Sequence, residues 1–410
     1  MKVIQINAVY EYSSTGRTTK EMHEYLISHG IESFVFCNNA HIPEKFIYSI
    51  ADKFGTDVHS LMSHLFDMQG LCSWRSTKKM ISKIHELNPD IVILRNLHSN
   101  YVNYPMILRF LASYDIPTIV VLHDVWLFTG HCCYYTADNC ERWLSGCGNC
   151  PAKHKYNKSI ILDRSESNFN LKRNFFNQIP RLAVIGVSDW VKDEAKKSPV
   201  FVNATEISRI YNWIDLNKFR PINYQSANTK IGICNRFTLL SVAQSWSDAK
   251  GLPTILEIAK RLPSDLFILV GKMDYSGELP GNIVSVGVIS DTEKLAQFYS
   301  MADVLLVCSV QETFGKVSAE ALACGTPVIA NNSTANPEIA GKECGFTFNN
   351  FNIDEIISSI SFLKQKGGKA AYITKCRQRA VALFDFEKQM QSYLQLFNRL
   401  VGGGNYTSLK

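Results

Sequence analysis

The chain has 410 residues, 46% of them apolar and 20% charged, with a formal net charge of +6. It is too long for one ordinary core and too mixed for a disordered or fibrous chain, so two globular domains of about 200 residues each are expected. The charge is spread evenly, with 22 basic against 19 acidic residues over positions 1–205 and 21 against 18 beyond, which excludes the concentrated basic surface of a nucleic-acid-binding domain.

The longest uncharged apolar runs, such as 116–122 and 304–307, fall far short of the ~18 residues of a membrane span. The opening MKVIQINAVY reads directly into a strand, without an apolar segment and cleavage site, so a cytoplasmic chain is expected. Disulfides rarely persist in such a compartment. Of the twelve cysteines, seven are scattered and read as small buried residues, and five cluster between Cys132 and Cys150.

In chain order, the first strand is read at 3–6, and the turn after it leads through Gly16 and Arg17 into a helix at 18–29. A glycine before a helix start suits a loop closing over an anion, with Arg17 reaching toward it, although a plain structural turn fits equally well. Further strands are read at 33–37, 91–95, 118–122 and 182–187, and a helix at 77–87. His123 and Asp124 end the strand at 118–122, at the carboxyl edge where parallel sheets bind ligands. Asp124 there either orients His123 or takes a hydroxyl of its own.

The segment HCCYYTADNCERWLSGCGNCP follows. Its Cys147 and Cys150 are two residues apart, as a tetrahedral metal requires, and Cys140 with either Cys132 or Cys133 completes four thiolates. A structural zinc, unliganded thiols and a disulfide are the three readings, and His131 is an alternative ligand. Four thiolates leave no open position, so a zinc here would not do chemistry. Residues 142–181 carry eight basic residues against two acidic ones, with Trp143, Tyr156, Phe169, Phe175 and Phe176 among them. They read either as a solvated face with core aromatics or as a patch for anionic lipid or a pyrophosphate-bearing acceptor.

The polar stretch at 215–228 is the expected boundary, giving domains at 1–214 and 215–385 and a final amphipathic helix, within 386–410, able to cross back to the first. Asn212 and Asp215 in YNWID are read as structural. In the second half, strands at 238–243, 265–270, 283–286, 304–307 and 327–330 alternate with helices at 254–261, 292–301 and 317–323. Apolar strands alternating with helices imply parallel sheets covered on both faces, so the fold class is α/β with two doubly wound, Rossmann-like domains facing across a cleft. Neither opens with the G-x-G-x-x-G turn of a dinucleotide dehydrogenase.

The most informative run is SVQETFGKVSAEALACGTPVIAN, at 309–331. Glu312 lies in the loop after a strand, Gly315 permits a tight turn, and the amides of Phe314, Gly315, Lys316 and Val317 lead into a helix that carries Glu320. Free amides at a helix start hold phosphate. The two carboxylates flanking them fit a sugar at one end and a ribose at the other.

This run, with Ala323, Cys324, Gly325, Thr326, Pro327 and Val328 closing it, resembles the retaining glycosyltransferases of glycosyltransferase family 4, which have the GT-B fold. The resemblance implies that Glu312 binds donor-sugar hydroxyls, that Lys316 and Val317 hold the diphosphate through their amides, and that Glu320 binds the ribose. It implies that Lys250 neutralises the departing diphosphate, that the Gly16 loop borders the donor, and that His123 contacts the donor sugar and supports catalysis; Arg17 is read beside the donor and Asp124 at the acceptor. The family's arginine near that lysine is replaced in this sequence by Gln244 and Ser245. The implied reaction is transfer of a hexose from a nucleotide diphosphate sugar, UDP or GDP type, with no cofactor required for catalysis. The implied acceptor is a lipid-linked glycan of a bacterial surface polysaccharide, at the cytoplasmic membrane face. An epimerase or phosphorylase of the same fold and a non-catalytic sugar-nucleotide-binding subunit are the rivals.

Overall fold

A computed structural model describes residues 1–39, 46–50, 52–155, 157–222 and 236–402. Residues 223–228 of the expected boundary stretch, Tyr156, Cys234 and the glycines at 403 and 404 lie outside the described residues. The chain divides into two compact units, Met1–Ile210 together with the residues from Met390, and Tyr211–Gln389.

The first unit contains strands β1 (Lys2–Val9), β2 (Glu32–Asn39), β3 (Ile47–Ser49), β4 (Ile91–Leu94), β5 (Thr118–Leu122), β6 (Leu182–Gly186) and β7 (Glu206–Arg209). They form one sheet in the order β3-β2-β1-β4-β5-β6-β7, with every neighbouring pair parallel. Its helices are α1 (Ser13–Ser28), α2 (Lys53–Phe66), α3 (Trp74–Leu87), α4 (Tyr104–Ser113), α5 (Ser165–Phe176) and α6 (Asp189–Lys197). The central strands IVIL, TIVVL and LAVIG are buried along their whole length, as parallel strands covered on both faces must be.

The second unit contains β8 (Thr238–Ser245), β9 (Leu266–Lys272), β10 (Ile283–Gly287), β11 (Val304–Val307), β12 (Val328–Asn331) and β13 (Gly345–Phe348), in the parallel order β10-β9-β8-β11-β12-β13. Its helices are α7 (Leu252–Arg261), α8 (Thr292–Met301), α9 (Lys316–Ala323), α10 (Asn336–Ala340), α11 (Ile353–Gln365) and α12 (Ile373–Phe384). Helix α13 (Phe386–Val401) starts in the second unit and belongs to the first from Met390 onward. Among the described residues, no helix is long and apolar enough to cross a membrane.

In each sheet the strand order reverses once, beside β1 and β4 in the first unit and beside β8 and β11 in the second. Connections leaving to opposite sides open a crevice at the carboxyl ends there, where such sheets bind ligands.

Candidate active site

In the second unit, β8 runs into a short 3-10 turn at Asp248–Lys250 and then Gly251. Gly251 has φ 74°, and a Cβ there would stand 2.2 Å from Cys308 Cβ, so only glycine lets this turn press on the end of β11. The approach brings Lys250 Nζ to 2.6 Å from Glu312 Oε1. The loop bearing Glu312 is itself pinned. The Glu312 amide donates to Thr334 Oγ1 at 2.9 Å, and Asn336 Nδ2 donates to the Ser309 carbonyl at 3.1 Å.

Gly315, at φ 79°, turns this loop into α9, whose first amides have no carbonyl to accept them within the helix. A Cβ on Gly315 would lie 3.6 Å from Asn336 Oδ1 and 3.8 Å from Ser318 Oγ. Both of those atoms are buried without a hydrogen-bond partner among the described residues. Trp246 Nε1 is in the same condition, and Trp246 lines a recess of about 20 Å³ with Lys250, Glu312 and Val317. Buried polar atoms are nearly always paired, so this concentration of unpaired ones at a crevice marks a place for a polar ligand. Trp246 and Asn336 were not legible in this role beforehand, because an indole N–H or an amide oxygen has no motif of its own.

Glu320, one turn into α9, is buried, and its Oε2 accepts from Tyr299 Oη at 2.9 Å. Burial, reinforced by the Glu320 charge, raises the Tyr299 phenol well above its ordinary range, so it remains a donor. Phe314 packs edge-on against Phe384, with Tyr211 nearby, so its side chain is core and only its backbone faces the donor role expected of it. Asp215 Oδ1 accepts from the amides of Asn217 and Lys218, a local turn.

In the first unit the structure corrects the reading of Gly16. It lies inside the first turn of α1 rather than in the preceding loop, and Glu11 in that loop and Ser13 at the helix start take the left-handed conformation instead. A Cβ on Gly16 would come within 3.2 Å of the Glu11 nitrogen and 3.3 Å of Val9 Cγ2. Its place is therefore set by close packing of the helix start on the turn after β1. Arg17 is exposed and its Nε donates to the Ser13 carbonyl.

At the end of β5, His123 Nε2 accepts from Arg95 Nη1 at 3.0 Å. Because a guanidinium only donates, neutral His123 carries its proton on Nδ1. Burial first and the Arg95 charge second lower its pKa to about 3 against the opposing pull of Asp124. Arg95 itself is buried and also donates to Gln5 Oε1 and Met22 Sδ. Asp124 accepts from His98 Nε2 at 2.7 Å and from the Trp126 amide at 2.9 Å. Burial pushes its carboxyl up, but His98 and the Trp126 amide outweigh that and hold it below the ordinary value. The His98 partnership, 26 positions away in sequence, was not legible there.

The cysteine segment splits. Cys132, Cys140, Cys147 and Cys150 line one cavity, while Cys133 accepts from Asn157 Nδ2 and has its sulfur within 4.8 Å of donor atoms of His98 and Asp124. The eleven described cysteines are free. In the basic segment, Trp143, Phe169 and Phe176 are buried as core, and Lys172 is buried with its ammonium on the carbonyls of Trp126 and Thr129.

Residues 231–379 match the family model described as Glycosyl transferases group 1, and residues 15–218 match the model for Glycosyltransferase Family 4. The chain is 23% identical over 336 residues to the colanic acid biosynthesis glycosyl transferase named WcaC of Escherichia coli K12, covering 76% of this chain and 77% of that one. It is also 23% identical over 325 residues to a D-inositol 3-phosphate glycosyltransferase of Mycobacteroides abscessus, with 71% and 73% covered. Among solved structures, a glycosyltransferase from Rickettsia africae superposes with a TM-score of 0.69 at 16% identity, over 98% of this chain and 99% of that one. Anabaena HepE, solved with UDP and glucose, gives 0.66 at 17% identity, over 97% and 100%. With both halves matched by these family models on two parallel sheets of this order, the chain belongs to glycosyltransferase family 4 and is a glycosyltransferase of the GT-B fold.

Proposed function

We propose that the protein transfers a hexose from a nucleoside diphosphate sugar to a hydroxyl of a lipid-linked glycan, with retention at the anomeric carbon and without a catalytic metal. The observation that carries this reading is the Lys250–Glu312 pair, 2.6 Å apart beside the start of α9, near buried polar atoms left without partners among the described residues. The amides of Lys316 and Val317 hold the diphosphate, and the Lys250 ammonium offsets the charge that builds on it as the glycosidic bond breaks. Glu312 accepts the donor-sugar hydroxyls. Glu320, held by Tyr299, accepts from the ribose.

The anomeric C–O bond breaks with its electron pair going to the diphosphate. The acceptor oxygen bonds to the anomeric carbon, and its proton passes to the leaving phosphate. His123, neutral and bound to Arg95, serves the donor sugar as a hydrogen-bonding ring, and Asp124 takes the acceptor hydroxyl. The HepE structures with UDP and UDP-glucose favour uridine as the first base to test. A second reading, a subunit that binds donor without turnover, is favoured by Gln244 and Ser245, which stand exposed at the end of β8 where the family carries a cation.

A thermal-shift panel of UDP, GDP, ADP and their sugar conjugates tests the donor site. A ligand at 100 times its dissociation constant should stabilise the protein by about 2.7 kcal/mol. Glu312→Gln should keep the nucleotide shift and lose transfer. No shift with any nucleotide, or wild-type transfer by the variant, would overturn the assignment, and a shift without turnover in the wild type selects the second reading.

A further inference from the structure

We propose that Cys132, Cys140, Cys147 and Cys150 hold one structural zinc ion that fastens the segment following β5. The four side chains, 18 positions apart in sequence from first to last, line a single cavity of about 10 Å³. That space admits one small ion and excludes an organic ligand. The Gly130 amide already donates to Cys147 Sγ at 3.2 Å, a contact that steadies a thiolate.

His131 supplies an independent observation. It is 2% exposed, lines the same cavity, and its Nδ1 is held by Asp67 Oδ1 at 2.6 Å. Its Nε2 is buried with no hydrogen-bond partner among the described residues. A buried ring nitrogen left so is costly, and a sulfur bound to a cation is the acceptor it lacks. Asp67, His131 and the metal-bound sulfur then form a chain of the kind that orients metal ligands from outside.

The fold explains why this segment needs an ion. Between Cys132 and Cys150 the regular structure consists of two three-residue 3-10 turns, Thr136–Asp138 and Arg142–Leu144. The backbone bonds within the stretch are local turn contacts, such as the Cys140 amide to the Tyr135 carbonyl at 3.2 Å, and a tetrahedral cross-link ties those turns together. No three of these four sulfurs lie within 4.8 Å of one another in the structure, so binding would draw them together as it releases the four thiol protons and closes the coordination shell. The Cys133 carbonyl accepts from the Val125 amide at 3.1 Å, so the ion would steady the backbone directly after His123 and Asp124 without entering the chemistry.

The test is metal analysis of the full chain, purified without a metal column or chelator. One equivalent of zinc is expected, released by a mercurial reagent in step with four thiols. Cys140→Ser and Cys147→Ser should each lose more than half of it, and Cys133→Ser should keep it. Less than half an equivalent in the wild type overturns the proposal, as does a full equivalent retained in Cys140→Ser and Cys147→Ser. The mercurial titration uses the wild-type chain, so failure of a serine variant to fold leaves the test standing.

Discussion

At the scale of single residues, the Lys250–Glu312 pair is partly exposed, at 37% and 19% of the side chains. Such pairs contribute at most about 1 kcal/mol to stability, so stability does not account for their placement. Trp246 Nε1 sharpens the point, since its N–H is buried, on a residue lining the same recess, with no partner among the described residues. Trp246→Phe keeps the ring and deletes only that N–H. Because no protein partner is lost, the variant should unfold at wild-type denaturant concentration or slightly higher. If a donor ligand accepts from the indole, affinity for the best nucleotide sugar should fall roughly tenfold, about 1.4 kcal/mol. Titration calorimetry on both proteins checks this, and equal affinities would mean that the N–H faces no part of the donor.

At the scale of elements, α2 carries an unpartnered apolar face. Phe54 is 77% exposed and Leu61 56%, with Val58 between them, while His59 and Ser63 on the other side are buried. The exposed run Ile160, Ile161 and Leu162 docks on the end of this helix through amides donating to the His64 and Leu65 carbonyls. Lys53, Lys155 and Lys158 lie on or near these two segments, and so do Asp52, Asp57 and Asp163. The exposed apolar side chains, rather than this balanced charge, suit a lipid surface. Phe54→Ser with Leu61→Ser should therefore lower sedimentation with phosphatidylglycerol vesicles several-fold without lowering stability. Unchanged sedimentation would refute this role for the helix. Only part of this face was legible in advance, because the basic segment was read without α2. The strands show the same limit. The run at 118–122 coincides with β5 and that at 304–307 with β11, since continuous apolar stretches bounded by polar residues read directly as buried parallel strands. The edge strands β3, β7 and β13 were not read, because three or four residues with one side open, such as EISR, carry no apolar run. Lys250 and Glu312 were legible as a motif, whereas the Arg95–His123 and His98–Asp124 contacts depend on neighbouring strand ends that only the folded sheet brings together.

At the scale of the whole molecule, buried histidines tie stability to pH. His23 is 3% exposed and bonded to Ser33 Oγ, and His59 is fully buried, accepting from the Gly70 amide. Burial lowers each to about 4, for His59 against backbone contacts at Met68 and Asn100 that pull the other way. In the unfolded chain both protonate below about 6.5. Between about pH 6.5 and 4 the unfolded state therefore binds protons that the folded state refuses, so stability is full above that window and falls as pH drops through it. The loss between pH 7 and 5 should be on the order of 2 kcal/mol for each histidine. His59→Gln keeps an acceptor for Gly70 and cannot titrate. Urea unfolding of the first unit at pH 7, 6 and 5 should show the wild type losing about 2 kcal/mol more than this variant over that range. A difference between the two proteins that stays constant with pH would show that His59 is not held neutral by its burial, and that acid sensitivity lies elsewhere in the fold.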